Sequence, residues 1–69
     1  MSERRLLQVI SEECMRSPTH AASFNKVRER FGPSFRDVFL ILIRHGYAEA
    51  AWKTEIALTR QGRMTVAEL

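Results

Sequence analysis

Gly32-Pro33-Ser34-Phe35-Arg36-Asp37-Val38-Phe39-Leu40-Ile41-Leu42-Ile43-Arg44-His45-Gly46-Tyr47 is the stretch whose reading decides the fold. Its centre, Val38 to Ile43, is an unbroken apolar run that suits a buried strand as well as a buried helix. The flanks favour helix. Pro33 breaks the preceding segment, Ser34 is a cap residue, and Asp37 stands at the third helical position as a weak capping box. Arg44 and His45 complement the negative end of a helix, and Gly46 stops it. The reading is therefore a helix over Ser34 to His45. Phe35, Val38, Phe39 and Leu42 form its core stripe, and Leu40, Ile41 and Ile43 carry apolar character beyond one face.

Upstream, two more helices are expected. Ser2 to Arg16 places Leu6, Leu7, Ile10 and Cys14 three and four residues apart, and Ser17-Pro18 ends it. Thr19 to Phe31 places Phe24, Val27 and Phe31 on one face, with Thr19 or Ser23 as cap and Gly32 as stop. Downstream, Glu55 to Thr59 alternates with Ile56 and Leu58 pointing one way, the period of a half-buried strand. Tyr47 to Ala51 is its expected hairpin partner across the loop Trp52-Lys53-Thr54. Thr59 to Leu69 reads as a short last helix capped by Thr59, with Met64, Ala67 and Val66 as its apolar contacts. The fold class is mainly α with a small antiparallel β-hairpin, and residues 1–69 form a single domain.

A chain of 69 residues excludes large catalytic folds. Its 45% apolar and 28% charged residues are ordinary for a globular domain. No run is long enough to span a bilayer and no signal peptide fits, so no membrane association is expected. The single cysteine, Cys14, makes no internal disulfide and suits a reducing, cytoplasmic setting. Cys14, His20 and His45 are too few and too widely spaced for a structural zinc site. Glu12 and Glu13 are adjacent on a helix and point apart, so they do not converge on a substrate. No nucleophile, base or metal constellation assembles, so no enzyme, catalytic residue, metal or cofactor is expected. The net charge of +3, with nine of eleven basic residues being arginine, permits a polyanionic partner.

Three segments carry a family resemblance. Ser23-Phe24-Asn25-Lys26-Val27-Arg28-Glu29-Arg30-Phe31-Gly32 resembles the second helix and tight turn of a winged helix-turn-helix domain. Leu42-Ile43-Arg44-His45-Gly46-Tyr47 resembles the end of its third helix, where a glycine turns the chain into the wing. Ile56-Ala57-Leu58-Thr59-Arg60-Gln61-Gly62-Arg63 is similar to the Leu-Thr-x-x-Gly-Arg return strand and helix start of small bacterial regulators of the MarR and PadR kind. The resemblance spans most of the chain, roughly residues 3 to 66. The resemblance implies a three-helix core, a two-stranded wing and a short C-terminal helix.

It also implies binding to double-stranded DNA by a small bacterial or phage transcription regulator. Ser34, Arg36 and Arg44 then belong to the DNA-facing third helix, Lys26 and Arg28 approach phosphates from the second, Lys53 sits at the wing tip, and Arg60 extends the basic stripe. A homodimer is expected, because two half-sites need two copies; Met1 to Leu7 and Met64 to Leu69 are its expected surfaces. The alternative is a winged helix that docks a protein, such as a small phage or mobile-element protein that binds a host protein. Arg36 and Arg44 favour DNA, whereas Asp37 and the apolar pair Leu40 and Ile41 favour a protein partner.

Overall fold

The computed structural model describes residues 2–52 and 54–68, with residue 52 described by its backbone alone. Four helices and three short strands follow one another: α1 (Ser2–Arg16), β1 (Ala22–Ser23), α2 (Phe24–Phe31), α3 (Phe35–Arg44), β2 (Ala48–Trp52), β3 (Glu55–Leu58) and α4 (Arg60–Ala67). The stretch Val38 to Ile43 is helical, as the capping signals require.

α1, α2 and α3 pack around a core that includes Leu6, Leu7 and Ile10 of α1, Val27 and Phe31 of α2, and Phe35 and Leu42 of α3. The sheet adds Ile56 and Leu58 from below. Phe35 lies stacked on Phe39, ring centroids 5.2 Å apart, and Phe24 meets both rings edge-on. Such aromatic contacts stabilise beyond the area they bury. Truncating the fully buried Phe35 to alanine would cost about 3–5 kcal/mol.

The sheet corrects the two-stranded expectation. Its order is β1-β3-β2, all antiparallel, with Ala22 opposite Ile56 and Ala48 opposite Leu58. The second helix therefore starts at Phe24 and not at Thr19. Residues Ser17 to His20 form a turn closed by the His20 amide on the Ser17 carbonyl, with His20 at φ 59°. Ala22 and Ser23 then run extended along β3, and the Phe24 amide donates to the Thr54 carbonyl at 2.8 Å. Ser23 precedes the helix in extended conformation, yet its side chain makes no cap bond. Ser34 makes none either, because its backbone (ψ 6°) lies outside the extended region that a cap residue adopts. The third helix ends at Arg44, one residue before the expected His45.

Two further corrections concern the hairpin and the last helix. Trp52 pairs with Glu55, past an irregularity after Ala50, so Trp52 belongs to the strand and not to a three-residue loop. Along α4, Val66 packs against the core, whereas Met64 and Ala67 face outward, because α4 touches the body along one edge near Gly62.

The two ends of the hairpin are held by one clasp. Gly46 turns the chain at φ 77°, and the Tyr47 amide donates to the Leu42 carbonyl. The Thr59 hydroxyl donates to the Gly46 carbonyl and accepts from the Gly62 amide, while the Thr59 amide donates to the Tyr47 carbonyl. A Cβ at Gly62 would run into that Tyr47 carbonyl. The Leu58-Thr59-x-x-Gly62 and Gly46-Tyr47 motifs are thus two halves of one contact.

Candidate nucleic-acid interface

α2 and α3 are joined by a turn of three residues. Gly32, at φ 109°, donates its amide to the Arg28 carbonyl, and Phe35 donates to the Gly32 carbonyl. This tight connection brings α2 and α3 together, with a groove of about 490 Å³ where they meet. Phe24, Phe35 and Phe39 form its aromatic walls, and Arg28, Arg36 and Leu40 line its rim.

The outward side of α3 carries Arg36, Asp37, Leu40, Ile41, Ile43 and Arg44, all exposed. Arg36, Leu40 and Arg44 are four residues apart and share one stripe, and Ile43 lies beside them. Asp37 and Ile41 occupy the neighbouring stripe. Leu40 keeps 56% of its surface exposed, Ile43 41% and Ile41 38%. The helix thus presents aliphatic side chains flanked by two guanidinium groups. Ile43 was legible from its spacing, three residues after Leu40, but the apolar run concealed which of its members face outward.

The structure divides the other expected contacts. Arg28 joins Arg36 at the groove. Lys26 lies elsewhere on α2, beside Glu13 and Arg16 of α1, and does not meet Arg36. Ser34 is exposed in the turn, and Arg60 is exposed in the first turn of α4. Lys53 lies outside the described residues.

Charge pairing is concentrated between α1 and α2. Arg30 donates to Glu13 at 2.8 Å and to Glu12 at 2.6 Å, and Arg16 lies 3.8 Å from Glu13. Glu12 and Glu13 therefore do converge, on an arginine from the neighbouring helix. Glu13 is only 9% exposed; its spacing, three residues after Ile10 and seven after Leu6, puts it on the buried face, and its charge alone made it read as solvated. The hydrogen bond and positive charge of Arg30 hold the Glu12 carboxyl below the ordinary glutamate range, and the two carboxylates raise the Arg30 guanidinium. Among the described residues, Arg28, Arg36, Arg44 and Arg60 make no ion pair.

On the other side of α1, Cys14 is buried, its thiol directed at the Ile56 carbonyl 3.9 Å away. Burial pushes that thiol up. Among the described residues no three His, Cys, Asp or Glu side chains gather as a metal ion would require. No helix among them is long and apolar enough to cross a membrane. No family model, curated protein or solved structure matches the chain.

Proposed function

We propose that this chain is a winged helix-turn-helix domain that binds double-stranded DNA through the outward face of α3. The observation that carries the reading is the grouping of Arg36 and Arg44 on one exposed stripe of α3, with Arg28 across the groove. These guanidinium groups have no carboxylate partner among the described residues. Arginine on such a helix pairs bidentately with guanine O6 and N7 in the major groove and contacts phosphates at its ends. The turn at Gly32 and the clasp at Gly46 and Thr59 fix the helix that presents them. A single copy offers few contacts, so the DNA-reading form is a homodimer spanning two half-sites, as a small cytoplasmic regulator of transcription would be.

The test is titration of a labelled duplex at about 50 and 200 mM salt, where neutralising about three phosphates lowers affinity roughly fortyfold. Binding that is absent at the lower salt, or indifferent to salt, overturns the reading.

A further inference from the structure

We infer that the groove between α2 and α3 docks an acidic amphipathic helix of a partner protein, and that this partner excludes DNA from the same face. The docking stands on the groove alone; the exclusion rests on the DNA reading above.

The groove has a property that DNA does not use. Its walls are aromatic, made by half-buried Phe24 and the small accessible edges of the core residues Phe35 and Phe39, and Leu40 extends it with a mostly exposed side chain. A duplex presents phosphates, sugars and base edges, and its only apolar knob in the major groove is the thymine methyl group. A volume of about 490 Å³ is far larger than a methyl group needs. A groove where two helices meet is the kind of site into which a third helix lays its apolar face, seating anchors at i, i+3 or i+4, and i+7.

Charge selects the occupant. Arg28 and Arg36 stand at the rim, exposed and without a carboxylate partner among the described residues. Arg44 continues the row one turn beyond Leu40. The acidic Asp37 lies on the neighbouring stripe of α3 and does not line the groove. An apolar anchor flanked by carboxylates is therefore complementary, and an anchor flanked by lysines is not. Arg36 belongs both to the groove rim and to the DNA-facing stripe, so one occupant displaces the other.

The probe is a fluorescein-labelled, end-capped peptide of about 16 residues with leucine and tryptophan anchors on one helical face and glutamates beside them. Its controls are a scrambled peptide of the same composition and a counterpart with lysine in place of glutamate. The full chain is expected to bind the acidic peptide saturably at about 150 mM salt, with amide shifts confined to Phe24, Arg28, Gly32, Arg36 and Leu40. Leu40→Ser is expected to weaken it at least about tenfold and, at a position 56% exposed, to leave the thermal midpoint near that of the parent. The Arg28→Glu/Arg36→Glu pair is expected to lose the acidic peptide and gain the lysine counterpart. The uncharged pair Arg28→Gln/Arg36→Gln keeps the test decisive if charge reversal unfolds the chain.

No binding, equal binding of the scrambled or lysine peptide, or amide shifts centred on α1 or α4 overturns the docking. So does self-association of the chain through Leu40 without peptide binding, which identifies a second copy as the occupant. Where the duplex binds, a ternary complex of chain, duplex and peptide overturns the exclusion alone. Failure of the duplex titration with the peptide still bound overturns the DNA reading and leaves the docking standing.

Discussion

The Thr59 hydroxyl donates a hydrogen bond to the Gly46 carbonyl thirteen residues earlier, joining the end of the hairpin to its beginning. The same oxygen accepts from the Gly62 amide, so one side chain caps α4 and closes the hairpin at its base. A serine or threonine cap contributes about 1 kcal/mol to its helix. Here the same residue also satisfies the Gly46 carbonyl, which receives no backbone donor among the described residues. Thr59→Val keeps the shape and removes both bonds, and is expected to destabilise by about 1–3 kcal/mol in denaturant unfolding. Thr59→Ser is expected to retain most of the parent stability.

Gly62→Ala sets two effects against each other. In an exposed helix the change gains about 1 kcal/mol of helix propensity. At Gly62 the new methyl group meets the backbone carbonyl of Tyr47, which cannot rotate away as a flexible side chain would. Forced shifts of this kind cost about 1–3 kcal/mol or more. The expected outcome is a net lowering of the thermal midpoint, checked by calorimetry.

Acid sensitivity follows from Arg30. Its hydrogen bond holds Glu12 below the ordinary glutamate value of 4.5 in the folded chain. A depressed carboxylate contributes stability that is present above its unfolded pKa and lost as pH falls through the folded one. The thermal midpoint is therefore expected to drop as pH is lowered below about 4.5. Arg30→Gln should lower the midpoint at pH 7 and flatten that acid limb. Arg28→Gln, outside the ion-pair network, should leave the limb unchanged.

Within the DNA reading, position on the surface separates the basic residues. Arg36→Ala and Arg44→Ala are each expected to weaken duplex binding by about 1–3 kcal/mol and to relax base preference locally. Lys26→Ala, on the α1 side of α2, is expected to change affinity by less than about threefold. Equal losses at all three positions would mean that the charge acts as a diffuse cloud and not through α3. Fluorescence anisotropy with one duplex and its point-substituted variants measures both quantities.

The helices were legible where periodicity and punctuation agreed. Leu6, Leu7, Ile10 and Cys14, and then Phe35, Val38, Phe39 and Leu42, occupy the core positions that their spacing indicated. Thr59 caps α4 as its residue type indicated. β1 was hidden because two residues, Ala22 and Ser23, carry no period of their own and are extended only by pairing with Ile56 and Glu55. Glu13 was hidden for a related reason. A carboxylate on an amphipathic helix reads as solvated, and only Arg30 from another helix makes its burial tolerable. Of the candidate interface, Arg36, Asp37, Leu40, Ile41 and Arg44 could be read as outward from the period of α3, whereas Ile43 was hidden in the apolar run. The joining of Arg28 to Arg36, the separation of Lys26 from both, and the aromatic groove depend on how α2 and α3 sit together after the Gly32 turn.

The pairing of Ala22 with Ile56 has a consequence in time. β2 and β3 are neighbours in sequence and close a short loop, whereas α2, α3 and β2 lie between β1 and β3 along the chain. Contacts between segments far apart in sequence carry the larger closure entropy and tend to form later. A strand of two residues has few bonds with which to resist reopening. In native-state hydrogen exchange, the Phe24 amide bonded to Thr54 should therefore exchange through a smaller opening than the amides of α1 and α3. The seam between β1 and β3 is therefore where this domain is expected to open first.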